Sequence, residues 1–266
     1  MPLPEALGLF ALIGTVAGLL AGLFGIGGGL VIVPVLAFTF RRQGVDESIL
    51  MHLALGTSMA SIVVTAASSV RAHRHHSGIL WHRVLQLAPA IVSGAVLGAA
   101  IANDLPGPML ARFVGVFELA IAAQMWLGSG RHPSSRRPLP RLPFMLGAGA
   151  GIGTVSSLAG IGGGALTVPF LTWFDVPMNR AAGVAAACAL PTALAGSISY
   201  LVNGWGHAAL PLHAAGFVYW PAVVGIGCTT VFIAPLGARL AQRLPEKVMK
   251  RLFAVLLLAM GVHLLL

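Results

Sequence analysis

The stretch "GLFGIGGGLVIVPVL", residues 22–36, sets a cluster of glycines inside a long apolar run. Glycine destabilises a helix by about 1 kcal/mol relative to alanine, so the glycines of residues 25–29 predict a break in an apolar helix. The pattern occurs a second time, because residues 157–171 read "SLAGIGGGALTVPFL", with nine of fifteen positions identical. A break of the same kind is therefore predicted twice.

The composition around these breaks is that of a membrane protein. The chain has 266 residues, of which 57% are hydrophobic and 9% charged, and its mean hydropathy is +0.90. Several apolar segments approach the roughly 20 residues that cross a bilayer. The formal charge of +9 comes from short basic clusters between these segments, so a lipid bilayer, and not a nucleic acid, is the predicted partner.

The apolar segments fall into two sets of five, so we predict a duplicated, all-α polytopic membrane protein. Residues 1–127 form the first membrane repeat and residues 143–266 the second. The linker, residues 128–142, is rich in Pro, Ser and Arg and cannot continue a helix. We predict eight to ten helical segments in total, including one over residues 212–236.

The basic residues predict how the two repeats are oriented. If each repeat crosses the bilayer an odd number of times, 13 of the 16 Lys and Arg residues lie on one side. An even number of crossings divides them seven against nine, which leaves the positive-inside rule nothing to explain. We therefore predict inverted-topology repeats, an architecture common among secondary transporters. The linker is then cytoplasmic and both termini are periplasmic.

The length of the first apolar stretch explains why it needs a break. Residues 6–40 would make a helix of roughly 52 Å, too long for one crossing and too short for two. A broken or re-entrant helix resolves this conflict, and the free amides that follow such a turn suit an anion. The alternative is that the glycines only allow close helix packing. The predicted substrate-binding residues are Gly25, Ile26, Gly27, Gly28, Gly29, Gly160, Ile161, Gly162, Gly163 and Gly164.

Several polar residues inside the apolar segments are further candidates. Hydroxyl groups of Ser156 and Ser157, and of Thr167 and Thr192, are expected either to bind an oxyanion or to bond their own helices. Glu118 lies in mid-segment, where a charge costs about 3 kcal/mol, so it is the candidate proton carrier; the alternative is a protonated or paired structural acid. Tyr200 is expected at the outer membrane interface.

Motifs along nearly the whole chain resemble the sulfite exporter TauE/SafE family. They are GIGGG followed by xxxVP in both repeats, GTS at residues 56–58, "SSVRAHRHHSGILW" at 68–81 and "YLVNGW" at 200–205. The resemblance implies a bacterial inner-membrane permease for sulfur-containing anions such as sulfite, sulfonates or thiosulfate, coupled to the proton gradient. The second repeat reads GVA where the family often repeats GTS, which leaves Thr57 and Ser58 as the hydroxyl candidates.

Other classes of function lack their motifs. The sequence contains neither a Walker A loop nor the HExxH of zinc proteases, and Ser93 lacks the GxSG context of a serine protease. We therefore predict a protein that is not an enzyme and has no cofactor and no metal site. An intramembrane enzyme and a non-transporting assembly factor remain the alternatives, and the oligomeric state is left open between a monomer and a homodimer.

Overall fold

The computed structural model describes residues 3–24, 28–76, 79–127, 141–241 and 246–265. Ten helices and one short β-hairpin make up the described part of the chain. The first five helices are α1 (Leu3–Phe24), α2 (Gly29–Arg42), α3 (Glu47–His76), α4 (Trp81–Asp104) and α5 (Gly107–Leu127). The others are α6 (Leu142–Leu158), α7 (Gly164–Trp173), α8 (Met178–Asn203), α9 (Trp220–Ala241) and α10 (Glu246–Leu265), with strands β1 (Ala214–Ala215) and β2 (Val218–Tyr219).

Within the described residues, four helical stretches are long and apolar enough to cross a membrane. These candidate spans are Glu47–Arg71, Trp81–Asp104, Gly107–Leu127 and Arg180–Asn203. Five further apolar stretches of 10–17 described residues lie in other helices. Of these helices, α7 has 10 residues, about 15 Å. The predicted all-α membrane fold is confirmed. The linker lies mostly outside the described residues, so the division into repeats stays a prediction.

The first helix of each repeat packs on the fourth helix of the other. Gly14 of α1 lies against Ile226 of α9, and Gly18 lies one turn further along, against Thr230. The two helices therefore run parallel. In these places an added methyl group would overlap the partner's backbone, so the missing side chains let the helices approach closely.

The same arrangement joins α4 to α6. Gly94 lies against Ala150, and Gly98 lies one turn further along, against Thr154. This pair is also parallel. Exchanging the two repeats converts the α1–α9 pair into the α6–α4 pair, so the packing follows the duplication in the sequence.

Equivalent helices of the two predicted repeats run antiparallel. In the centre, α3 and α8 pack with Gly56 beside Tyr200 and Met59 beside Gly196. At the edge, α5 and α10 pack with Gly115 beside Leu265 and Leu119 beside Gly261. In both pairs, the residue number rises along one helix while it falls along the other.

Residues 212–219 depart from the predicted helix. The segment expected over 212–236 starts as a helix only at Trp220, and the preceding residues form the β-hairpin, in which Ala214 pairs with Tyr219. Two backbone N–H groups of this segment donate hydrogen bonds to the helices. The N–H of Phe217 donates to the carbonyl of Tyr200 at 3.1 Å, and the N–H of Tyr219 donates to the Thr57 hydroxyl at 2.9 Å.

The outer surface is apolar. Leu85, Leu127 and Phe232 are each more than 70% exposed. All five tryptophans lie within two residues of a helix end and are 46–70% exposed, as interfacial anchors of a membrane protein are. They are Trp81, Trp126, Trp173, Trp205 and Trp220.

Candidate functional site

The first glycine turn separates α1 from α2. Helix α1 ends at Phe24 and α2 begins at Gly29, preceded by Gly28 in the left-handed conformation at φ 75°. Glycine adopts this conformation without the steric cost that other residues meet. The predicted site residues Gly25, Ile26 and Gly27 lie outside the described residues.

The second glycine turn is described completely. Helix α6 ends at Leu158, α7 begins at Gly164, and Gly163 is left-handed at φ 80°. The N–H of Ile161 donates to the carbonyl of Ser156 at 2.8 Å, which closes the turn. Gly163 is the repeat equivalent of Gly28, so the duplicated motif adopts the same conformation at the start of α7 and of α2.

The helices after the turns begin with the same bonds. In α2, the N–H groups of Val31 and Ile32 donate to the carbonyl of Gly28 at 3.0 and 3.1 Å. In α7, those of Leu166 and Thr167 donate to Gly163 at 3.3 and 2.9 Å. The N–H groups before these bonds have no partner within their helix and point out of its positive end.

The two turns meet inside the protein. A methyl group added to Gly29 would lie 2.8 Å from the carbonyl oxygen of Gly160 and 2.9 Å from the Cα of Ile161. Ile161 is fully buried, and Ile62 of α3 packs against both Gly29 and Gly162. Backbone of the first turn therefore touches backbone of the second, with no side chain between them at this point.

Of the two hydroxyls in the GTS motif, only one reaches a glycine turn. Ser58 donates to the carbonyl of Gly160 at 2.8 Å. The hydroxyl of Thr57 instead accepts the hydrogen bond from the N–H of Tyr219. Both hydroxyl-bearing residues are fully buried, but their side chains serve different parts of the structure.

Tyr200 is part of this region, and the expectation that it lies at the membrane interface was wrong. Its side chain is 1% exposed, and its hydroxyl donates to the carbonyl of Ser157 at 3.0 Å. The side chain of Ser157 points elsewhere, because its Oγ lies 3.4 Å from where a methyl group on Gly196 would be. The residues around Tyr200, "YLVNGW", read as an interfacial segment, so no local signal indicated its burial.

Three hydroxyls at the second turn are buried without a hydrogen-bond partner. They belong to Ser156, Ser157 and Thr167, and each residue is fully buried. Leaving a buried polar group unpaired costs about 1–3 kcal/mol. No other hydroxyl among the described residues is unpaired in this way, so the second turn concentrates unused hydrogen-bonding capacity.

Glu118 of α5 is also buried and unpartnered. Its side chain is 0% exposed, and neither carboxylate oxygen has a hydrogen-bond partner. Ile121 and Ala122, on the same face of α5, belong to one buried cluster with Leu30 and Ile161, which adjoin the two turns. Glu118 therefore lies on the face of α5 whose residues belong to the cluster that reaches the turns.

The buried groups available to an anion are neutral hydrogen-bonding groups, and no lysine or arginine is among the buried residues that the structure describes. Among the described residues, the buried polar set consists of hydroxyl groups, Glu118 and His52, without Lys or Arg. His52 lies near the hairpin, with its Nε2 2.9 Å from the carbonyl oxygen of Ala102. The described residues contain no group of three or more His, Cys, Asp or Glu side chains that could hold a metal ion.

These features together indicate the class of protein. An all-α membrane protein with two glycine-broken helices meeting in its core has the features of a transporter. The model of the family "Sulfite exporter TauE/SafE" matches residues 10–264, and the chain belongs to this family.

The chain is similar to several curated proteins over nearly its whole length. A "Probable membrane transporter protein" of Haemophilus influenzae is 38% identical over 97% of both chains. A protein of the same description from Methanocaldococcus jannaschii is 28% identical over 97% of this chain and 95% of its own. A third, from Bacillus subtilis, is 22% identical over 97% and 96%. No solved structure matches the chain.

Proposed function

We propose that this membrane transporter moves small sulfur-containing anions, such as sulfite, sulfonates or thiosulfate, across the bacterial inner membrane. The protein is a proton-coupled secondary transporter that works by alternating access. The observation that carries the proposal is the contact between Gly29 and the carbonyl of Gly160, which joins the two turns in the core. Irregular backbone at this depth is tolerated where it is buried in protein or lines a wet cavity.

The chemistry around the turns supports an anionic cargo. The first N–H groups of α2 and α7 lack partners within their helices, and the helix dipole adds positive potential at the same ends. Ser156 places an unpartnered hydroxyl group beside the second turn. We infer that the cargo contains sulfur from the description of the family to which the chain belongs, the sulfite exporters.

The helix directions support inverted repeats. Helices α3 and α8 are equivalent and run antiparallel, as do α5 and α10. Repeats that point the same way through the bilayer would make these pairs parallel. Together with the 13 basic residues predicted on one side, this supports a cytoplasmic linker and periplasmic termini.

Glu118 is the proposed proton carrier. A carboxyl group takes up and releases protons, and an acid inside a membrane segment is functional by default. Its position on the face of α5 that packs near the turns would let its protonation affect the bound anion.

Counterflow in proteoliposomes tests the proposal. Liposomes with purified protein are loaded with unlabelled sulfite, thiosulfate or a sulfonate and diluted into the labelled anion. We expect transient accumulation with at least one of these anions, and less with the Gly29→Ala variant. If purified protein moves none of them, a non-transporting assembly factor becomes the better account, and turnover of the anion would indicate an enzyme.

Cysteine labelling tests the orientation separately. In a protein without Cys188 and Cys228, the variants Ser134→Cys in the linker and Ala208→Cys in the exposed loop are labelled in intact cells with a membrane-impermeant maleimide. We expect the loop to react from the periplasm and the linker only after the membrane is opened. Labelling of both from one side would overturn the inverted arrangement.

A further inference from the structure

We propose that the anion's oxygen atoms are bound by the second turn alone, in a cradle over Gly163 formed by Ser156, Thr167 and the first amides of α7. This proposal rests on the proposed function and names the part of the site that recognises the cargo. The ligand is a small oxyanion with three oxygen atoms on one central atom, such as sulfite or the head group of a sulfonate.

The space over Gly163 distinguishes it from its neighbours. A methyl group placed there would meet nothing closer than 3.8 Å, the nearest atoms being Ser156 Oγ and Thr192 Oγ1. The same group on Gly160 or Gly162 would lie 2.6 Å from a side chain of α2 or α3. The chain therefore packs tightly around Gly160 and Gly162, whereas Gly163 leaves space for a methyl group in ordinary van der Waals contact with its neighbours.

One unpaired donor faces this space, and a second lies on the adjoining first turn of α7. Ser156 Oγ faces it, is fully buried and has no partner. The hydroxyl of Thr167, on the first turn of α7, is also buried and unpaired. Two other threonines nearby in α7 and α8 bond their own backbone: Thr172 donates to Val168 and Thr192 to Cys188, each four residues back. Thr192 therefore bounds the cradle but has no hydrogen left to donate.

The backbone adds two more donors. Helix α7 runs for 10 residues from Gly164, and its first bonds are made by the N–H groups of Leu166 and Thr167. The preceding amides, of Gly164 and Ala165, are free of intrahelical bonds and lie at the positive end of the helix dipole. With the two hydroxyls they offer four neutral donors, which suits several oxygen atoms sharing one negative charge.

The first repeat does not have these hydroxyls. The residues equivalent to Ser156, Ser157 and Thr167 are Ala21, Gly22 and Ile32. The first turn therefore offers its backbone but no hydroxyl donors of this kind. We assign oxyanion recognition to the second turn, which the start of α2 contacts where Gly29 meets Gly160.

Equilibrium binding of labelled sulfite and thiosulfate to purified protein tests the assignment. We expect Ser156→Ala and Thr167→Val each to weaken binding by about tenfold or more, because each removes a hydrogen bond to a charged ligand. Thr167→Ser, which keeps the hydroxyl, should restore most of the affinity. Thr172→Val is the matched control on the same helix and should stay within about twofold of the unmodified protein, because its hydroxyl bonds its own helix.

Three outcomes would overturn the cradle: wild-type affinity in both variants, no oxyanion binding by the unmodified protein, or binding of sodium in place of the oxyanion. Thermal melting of every variant shows whether it is folded. Counterflow with the same preparations tests the proposed function independently. Transport that is unchanged in both variants rejects the cradle alone, whereas hydroxyl-dependent binding without any transport rejects the transporter alone.

Discussion

The hydroxyl of Ser58 donates a hydrogen bond to the carbonyl oxygen of Gly160, 2.8 Å away and 102 positions along the chain. A buried serine in a helix often bonds its own backbone, as Ser61 does with the carbonyl of Thr57. Ser58 instead satisfies a carbonyl that the broken helix leaves free. The central helix of one repeat thus stabilises the turn of the other.

Removing this bond should destabilise the protein. We expect Ser58→Ala to lower the free energy of unfolding by about 1–3 kcal/mol, because the Gly160 carbonyl is left buried without this donor. Ser61→Ala, on the same helix, is the control and should cost less, since the carbonyl of Thr57 keeps its helical bond. Thermal unfolding in detergent measures both, and equal losses would show that the bond to Gly160 has no special role.

The contact between the turns should not tolerate a side chain. We expect Gly29→Ala to reduce both stability and transport, because its methyl group would lie 2.8 Å from the Gly160 carbonyl and 2.9 Å from the Ile161 Cα. The loss should be on the order of 1–3 kcal/mol, as for other overpacked cores. Gly151→Ala is the control, since nothing lies within 4 Å of its added methyl group. Counterflow measures the loss of transport and melting curves measure the loss of stability. If Gly29→Ala behaves like Gly151→Ala in both measurements, the contact between the turns contributes to neither.

The role of Glu118 can be separated from the binding of the anion. We expect Glu118→Gln to retain counterflow exchange but to lose accumulation driven by a pH gradient, because glutamine cannot carry a proton. Glu47→Gln is the control: this glutamate is exposed and paired with Arg41 at 2.9 Å. Gradient-driven uptake that is unchanged in Glu118→Gln would rule out the carrier role.

Thr57 should matter for stability more than for binding. We expect Thr57→Val to lower the free energy of unfolding by about 1–3 kcal/mol, because the buried N–H of Tyr219 loses its acceptor. Thr57→Ser keeps the hydroxyl and should preserve stability. If Thr57→Val melts like the unmodified protein but binds the anion less tightly, its hydroxyl contacts the cargo and not the hairpin.

Local patterns predicted the breaks in the helices. The signals lie within single segments: the glycine clusters, the apolar lengths and the linker composition. The turn at 159–163 lies at the second glycine cluster, where a break was predicted. The contact between Gly29 and Gly160 depends on packing between distant segments. The duplication only suggested it, because two equivalent turns can either meet or face apart.

The missed features have physical reasons. Residues 212–219 are apolar enough to read as the start of a span, yet the hairpin forms because its N–H groups bond to Tyr200 and Thr57 of other helices. Tyr200 is buried because Gly56 leaves room beside it and Ser157 offers a carbonyl. None of these partners is a neighbour in sequence.

The pairing of α1 with α9 also governs how the chain can be assembled. Helix α1 ends at Phe24, but its partner begins only at Trp220. At the usual 5–20 residues per second, α1 waits on the order of ten seconds or more during synthesis before its partner emerges. Its glycine-lined face must meanwhile be covered by lipid or by the insertion machinery, so neither repeat reaches its final packing before the other is made.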